Sequence, residues 1–98
     1  MFKILPMNKL TLYFKGASFI NNPTLHLWLN GVEVDQKLDK TGFEIDLDIQ
    51  GVQQTIDLKF GLRKQQIILK HLESEDLDME LKYSRLWGNF KLIQRKRD

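Results

Sequence analysis

The feature that most constrains the fold is a period-two alternation of apolar and polar residues that recurs along most of the chain. Each alternating run is short, and glycine, asparagine or proline separates one run from the next. Strict alternation over about four to eight residues is typical of a β-strand with one face in a core and the other in solvent. The sequence therefore predicts a mostly β protein. The clearest runs are residues 10–15, 25–29, 43–50, 52–62 and 77–84.

Asn30 and Gly31 form the strongest local turn signal, because they separate two alternating segments. Both central residues of a type I′ turn need a positive φ, which asparagine and glycine tolerate best. A two-residue turn at this point predicts a β-hairpin in which His26 faces Asp35. The same register places the leucines and valines on one face of the hairpin and Trp28 on the other.

A second hairpin is predicted around Gln50 and Gly51, which also lie between two alternating runs. A turn there would place Ile45 opposite Ile56, with apolar side chains again sharing one face. Gln54 is then the only polar residue on that apolar face.

The second half of the chain is harder to assign, because residues 65–72 contain a short apolar run that periodicity alone does not classify. Two adjacent isoleucines favour a strand, whereas the flanking long side chains favour a helix. We predict a strand, with an α+β fold as the alternative if residues 63–73 are helical. Two more strands are predicted at 77–84 and 90–93, joined by a turn at Gly88 and Asn89.

Chain length and strand number together predict the architecture. A chain of 98 residues suits one domain, so residues 1–98 are expected to form a single β domain whose charged tail, 94–98, frays. Short strands with turn signals about every 8–12 residues are typical of a sandwich or a barrel. Because one-sided alternation fits antiparallel sheets, we predict an all-β, small antiparallel β-sandwich, Ig-like or jelly-roll-like, of seven or eight strands. A small β-barrel is the alternative.

The strings LHLWLNGVEV and GFEIDLDIQGVQQTIDL carry a family resemblance. They contain, in order, a strand, an Asn-Gly turn, a strand, a polar loop, a strand, a glycine turn and a strand. Over residues 25–60 this order resembles the small PEGA-type β-sandwich domains, with Gln53 or Gln54 where that family often has histidine. The resemblance implies an Ig-like sandwich used for binding or as a structural spacer, with no catalytic residues to transfer.

Composition limits the cellular compartment and the kinds of site that the chain can form. The chain has no cysteine, so neither a disulfide framework nor a thiolate metal site is possible. No apolar run approaches the roughly 20 residues that span a bilayer, and residues 1–12 lack the apolar core of a signal peptide. These features predict a soluble, cytoplasmic protein.

Charge is arranged in bands along the chain. Residues 33–57 carry seven acidic residues against two lysines, and residues 73–80 carry five acidic residues. Residues 59–71 and 82–98 are basic. The bands favour either opposite-charge pairing between neighbouring strands or head-to-tail attraction between molecules. The acidic strand faces argue against nucleic-acid binding as the function, and the basic run at 95–97 is too short to indicate it.

Catalytic chemistry finds little support in the residue pattern. Neither histidine lies in a nucleophile motif. Glu44, Asp46 and Asp48 follow one another along one strand face at about 7 Å intervals, a spacing compatible with a pair of catalytic carboxylates or with calcium ligands. A flat, solvated strand offers no desolvation to shift their pKa values. We therefore predict that the protein is not an enzyme and has no cofactor or metal site.

Aromatic residues on polar faces are the best candidates for a binding surface. Trp28 is predicted to lie outside the core, beside His26, and Trp87 follows Arg85 in an aromatic-rich bend. Tryptophan and arginine are enriched at binding surfaces. The binding candidates are Tyr13, His26, Trp28, Arg85 and Trp87.

Each tryptophan also has a structural interpretation. Trp28 could be covered by Phe2, Ile4 and Leu5, and Trp87 could pack in the core at a sheet corner, as tryptophan is usually well buried. If the aromatic residues are exposed, they and the free strand edges predict a non-catalytic protein-interaction or assembly module, with a homo-oligomer as one form of it. The alternative is a domain that binds carbohydrate or another small ligand.

Overall fold

A computed structural model describes residues 7–16, 25–35, 38, 41–60, 63–73, 75–84 and 86–95. These residues contain eight β-strands and no helix, so the all-β prediction is confirmed. Within the same ranges there is consequently no helix long and apolar enough to cross a membrane. The strands are β1 (Asn8–Phe14), β2 (Leu25–Leu29), β3 (Val32–Glu33), β4 (Phe43–Ile49), β5 (Gln53–Phe60), β6 (Arg63–Lys70), β7 (Leu77–Ser84) and β8 (Asn89–Gln94).

The strands form two packed four-stranded sheets, which confirms the predicted sandwich. The first sheet has the order β4-β1-β7-β8, and the second has the order β3-β2-β5-β6. The two sheets do not close into a barrel, so the barrel alternative is wrong. The α+β alternative is also wrong, because Arg63–Lys70 is a strand paired with β5 along its whole length.

The Asn30–Gly31 hairpin forms in the predicted register. Leu29 lies opposite Val32 in β2 and β3, and Asn30 and Gly31 have φ angles of 52° and 84°. The predicted register continues to Val34, whose backbone N–H donates to the carbonyl oxygen of Leu27 at 2.9 Å, but the strand pairing stops before the predicted pair of His26 with Asp35. Strand β3 ends at Glu33, and the Nδ1 atom of His26 lies 3.3 Å from Oε1 of Glu33 instead.

The predicted hairpin around Gln50 and Gly51 is wrong, because this turn carries the chain from one sheet to the other. Ile45 of β4 lies opposite Leu12 of β1, and Ile56 of β5 lies opposite Leu29 of β2. Both isoleucines still point into the core, since each strand turns its apolar face toward the space between the sheets. The alternation therefore predicted correctly which face of β4 and β5 is buried, but not which strands they pair with.

One strand pairing departs from the expected antiparallel arrangement. Of the six pairings among the described residues, five are antiparallel, and β1 and β7 are parallel. Leu10 lies opposite Leu77, and Phe14 lies opposite Leu81. Parallel neighbours need a long crossover connection, and here the whole second sheet lies between β1 and β7 in the sequence.

The core lies between the sheets and receives the apolar face of every long strand. Leu27 and Ile45 are 0% and 8% exposed, as the alternation predicts. Leu38 is a core residue that the alternation missed, because it lies in the loop predicted to be polar. At one end of the core, Phe90 of the first sheet contacts Phe60 of the second, with ring centroids 4.9 Å apart in an edge-to-face arrangement.

Gln54, the polar residue on an apolar face, is fully buried at 0% exposure and joins three chain segments. Its Oε1 atom accepts a hydrogen bond of 2.7 Å from Nδ2 of Asn30. Its amide nitrogen donates to the carbonyl oxygen of Gln50 at 2.7 Å and lies 3.2 Å from Nε2 of His71. The Nδ1 atom of His71 lies 2.8 Å from the carbonyl oxygen of Leu72. Around His71, Nε2 therefore faces a donor and Nδ1 faces an acceptor.

Replacing Gly42 by alanine is expected to lower the free energy of unfolding by about 2–3 kcal/mol, within the range for residues held in sparsely populated backbone conformations. Its φ is +128°, and an added Cβ would lie 3.0 Å from the carbonyl oxygen of Phe14, part of a β-strand. Gly31→Ala is the matched control, since its φ is also positive but no atom lies within 4 Å; we expect a loss of about 1 kcal/mol. Urea denaturation of both variants measures the difference, and equal losses would contradict the backbone contact at Gly42.

Candidate functional site

The outer face of the second sheet carries a row of polar residues around Trp28. Trp28 of β2 lies opposite Glu33 on one side and Asp57 on the other. Asp57 in turn lies opposite Gln66 of β6, whose Nε2 atom donates to Oδ1 of Asp57 at 3.0 Å. Register alone therefore aligns an aromatic ring, two carboxylates and an amide across four strands.

The neighbouring row on this face is basic. His26 lies opposite Lys59, and Lys59 lies opposite Lys64. The rings of His26 and Trp28 are stacked, with centroids 6.0 Å apart and an interplanar angle of 28°. Lys59 and Lys64 place two positive charges directly across a strand pair, an arrangement that destabilises a sheet.

The two rows enclose an open groove of about 550 Å³ on the sheet surface, which we call the Trp28 groove. Trp28, itself half-buried, lies in its wall. The groove combines an aromatic surface with hydrogen-bonding groups of both kinds and with positive charge, the mixture that small-ligand sites use to fix orientation. Its lining consists of Trp28, Gly31, Asp57, Leu58, Lys59, Lys64, Gln65 and Gln66.

One long side of the sandwich, formed by β6 and β8, is basic and bridged by side chains. Phe90 donates its backbone N–H to Oε1 of Gln65 at 2.7 Å, and Nε2 of Gln65 donates to the carbonyl oxygen of Phe90. Nη1 of Arg63 donates to the carbonyl oxygen of Gly88 at 2.9 Å. We call this the basic side, because the charged residues of β6 and β8 are all basic: Arg63, Lys64, Lys70 and Lys91.

The opposite long side, formed by β3 and β4, is acidic and contains a second groove. We call it the acidic side; its carboxylates are Glu33, Asp35, Glu44, Asp46 and Asp48. The groove has a volume of about 430 Å³, with apolar walls formed by Leu29, Val32, Val34 and Leu47. Val32 is 70% exposed. Among the described residues, β4 is the edge strand of the first sheet on this side.

The outer face of the first sheet places Tyr13 under an arginine. The guanidinium of Arg95 lies over the Tyr13 ring, 4.1 Å from its centroid. Nη1 of Arg95 donates to Oε1 of Glu44 at 2.7 Å and lies 3.7 Å from Oδ1 of Asp78. The hydrogen bond to Glu44 is the main cause that raises the pKa of Arg95. The predicted fraying of the tail is wrong for Gln94, which belongs to β8, and for Arg95, which these contacts hold.

The predicted binding residues do not form one site. His26 and Trp28 lie together beside the Trp28 groove, whereas Tyr13 is on the other sheet. Trp87 is 74% exposed in the turn between β7 and β8, so its interpretation as a core residue is wrong. Arg85 lies outside the described residues. The residues proposed to cover Trp28, which are Phe2, Ile4 and Leu5, also lie outside them.

Sequence reasoning missed the other members of the Trp28 groove, above all Asp57, Lys59, Lys64 and Gln66. Asp57 and Lys59 occupy polar positions of the alternating run 52–62, so their outward orientation was readable. Lys64 and Gln66 lie in or beside the segment at 65–72, which periodicity did not classify. Their proximity to Trp28 depends on the pairing of β2 with β5. That pairing was hidden by the expectation that β5 pairs with β4.

Two of the three carboxylates of β4 are engaged with neighbouring side chains. Glu44 binds Arg95, and Oδ1 of Asp46 accepts a hydrogen bond of 2.7 Å from the Thr11 hydroxyl. Among the residues that the structure describes, no group of three or more histidine or acidic side chains is arranged to hold a metal ion.

Comparison of the chain with protein-family models, with curated proteins and with solved structures found no match. The resemblance to PEGA-type domains and the Ig-like classification therefore remain predictions.

Proposed function

We propose that the protein is a non-catalytic interaction module in which the acidic side of one copy binds the basic side of another. The observation that carries this proposal is the separation of charge between the two long sides of the sandwich. Strands β3 and β4, together with the described residues just after β3, carry five carboxylates, whereas the charged residues of β6 and β8 are all basic. Complementary surface potentials speed association and select its orientation.

The acidic side has the features of a receiving surface. Among the described residues, β4 is an edge strand, the kind of strand that pairs with a strand of another chain. The groove between β3 and β4 adds exposed apolar area, notably Val32 and Leu47, that binding would remove from water. Its carboxylate rim then favours a strand with basic side chains, such as β6 of a second copy, over an acidic one.

The proposed contact is heterologous, because two different surfaces meet. Such contacts build rings when the rotation closes and open chains when it does not. On the basic side, the edge of β8 at Phe90 is already occupied by the side chain of Gln65. This supports assignment of the acidic side as the receiving surface.

We expect the average mass in analytical ultracentrifugation to rise with protein concentration at low salt. At about 1 M salt, where the Debye length falls to about 3 Å, the mass should return toward that of the monomer. Asp48→Lys should abolish the rise at low salt, because it places a positive charge on the rim of the acidic groove. The matched control is Glu73→Lys, which changes the net charge equally but lies outside that groove.

Mixing two variants tests the orientation of the contact. Lys70→Glu should also remain monomeric, and its mixture with Asp48→Lys should recover association, because the two altered surfaces carry exchanged charges and attract each other. Association of Asp48→Lys at the wild-type level would refute the acidic side as the interface. Association that is lost equally in Glu73→Lys would indicate a response to net charge alone, which also contradicts the proposal.

A further inference from the structure

We propose that the Trp28 groove binds an acidic carbohydrate, a sugar whose ring packs on Trp28 and whose carboxylate lies between Lys59 and Lys64. This site is on the outer face of the second sheet, away from the β3–β4 groove. It shares Lys64 with the basic side, but ligand binding there does not require the proposed self-association. Three properties of the groove support it, namely its aromatic wall, its unneutralised positive charge and its hydrogen-bonding groups.

The aromatic wall comes from Trp28, whose side chain is half-buried and lines the groove. Its strand is held between β3 and β5, and its ring is stacked with that of His26. An indole offers a large, rigid surface with few rotatable bonds, so little conformational entropy is lost on contact. A pyranose ring has one face formed mainly of C–H groups, which packs against such a surface and leaves its hydroxyl groups at the edge.

The positive charge comes from Lys59 and Lys64, which lie directly opposite each other in the β5–β6 pair. Among the described ion pairs, none involves either lysine. Two like charges across a strand pair destabilise the free protein. An anionic group bound between them relieves that repulsion, so an acidic ligand is favoured over a neutral one of the same shape.

The hydrogen-bonding groups favour a sugar over a nucleic acid. Asp57 accepts hydrogen bonds, and Gln66 both donates and accepts; both residues line the groove. Hydroxyl groups of a sugar satisfy acceptors and donors alike. The phosphodiesters of a single-stranded nucleic acid offer only acceptors, so they cannot donate a hydrogen bond to Asp57.

The proposal is tested by titrating the 15N-labelled full chain with an oligogalacturonate and following its amide and indole N–H resonances by NMR. We expect saturable shifts at Trp28 and at residues of β5 and β6 around the groove. The methyl ester of the same oligosaccharide, which lacks the charge, should bind at least about tenfold more weakly, a difference of about 1.4 kcal/mol.

Two variants separate binding from folding. Trp28→Ala should abolish the shifts around the groove, and Lys59→Gln combined with Lys64→Gln should weaken binding at least about tenfold while leaving the amide spectrum dispersed. The matched controls are Trp87→Ala and Lys82→Gln, which lie outside the groove lining and should bind as the wild type does. Oligothymidylate serves as the nucleic-acid probe.

The proposal is overturned if the oligogalacturonate does not bind or if its methyl ester binds equally well. It is also overturned if the lysine double variant keeps its affinity or if oligothymidylate binds more tightly than the sugar. None of these outcomes bears on the ultracentrifugation of Asp48→Lys, so failure of this site and failure of the proposed self-association are distinguishable.

Discussion

Replacing Phe90 by alanine is expected to lower the free energy of unfolding by about 4 kcal/mol, as is usual when a large aromatic side chain is removed from a core. Phe90 is 2% exposed, and its ring lies 4.9 Å from that of Phe60 and 5.6 Å from that of Phe14. Because Phe60 belongs to the second sheet and Phe14 to the first, the substitution leaves a cavity where the two sheets meet. Urea denaturation monitored by circular dichroism measures the loss.

Trp87→Ala is the matched control, because it truncates a larger aromatic residue only three positions away. Trp87 is 74% exposed, and substitutions at such surface positions usually change stability by less than about 0.5 kcal/mol. Similar losses in the two variants would contradict the placement of Phe90 inside and Trp87 outside. An altered slope of the denaturation curve would indicate a change in the unfolded or native ensemble rather than a simple cavity effect.

Replacing Gln54 by leucine is expected to lower the free energy of unfolding by about 2 kcal/mol, although leucine is the more apolar residue, because it removes two hydrogen bonds, each worth about 0.5–1.5 kcal/mol. The substitution removes the partners of Nδ2 of Asn30 and of the carbonyl oxygen of Gln50. It also removes the donor that lies beside Nε2 of His71.

The control for this substitution is Gln53→Leu, the same chemical change at the neighbouring, exposed position. We expect a difference from wild type of no more than about 0.5 kcal/mol. A Gln54→Leu variant as stable as the wild type would mean that the buried network contributes nothing to folding. Thermal denaturation of both variants by differential scanning calorimetry gives the comparison directly.

Much of the local structure was predictable, because local physics determines it. The Asn30–Gly31 turn follows from the backbone preferences of two adjacent residues, and its register was confirmed by the pairing of Leu29 with Val32. Alternation also identified the buried faces, as the positions of Leu27 and Ile45 show. Even the residue that broke the pattern was informative, since Gln54 proved to be the centre of a buried network.

The arrangement of strands between sheets was not predictable from the same signals. A glycine turn such as Gly51 suits a hairpin and an inter-sheet connection alike, and both keep apolar faces inward. The parallel pairing of β1 with β7 depends on contacts across most of the chain, which no local pattern encodes. Leu38 was missed because a single apolar residue in a polar loop has no periodicity to reveal it.

The candidate site was predictable only in part for the same reason. Alternation correctly placed Trp28 and His26 on the polar face of the first hairpin, and the structure brings their rings together. The other groove residues come from strands β5 and β6, whose position beside β2 is a property of the topology. Tyr13 was an equally reasonable candidate, yet it belongs to the other sheet, under Arg95.

The parallel pair of β1 and β7 has a consequence for synthesis on the ribosome. Lys9 and Asp76, joined by a hydrogen bond beside this pair, are 67 residues apart, so the first sheet is incomplete until one of the last strands has been made. Strands β2, β3, β5 and β6 all emerge during that interval. Until Leu77 and the residues after it are made, the edge of β1 that later pairs with β7 has no partner. An unpaired strand edge next to an apolar strand face is the kind of surface that seeds aggregation of nascent chains.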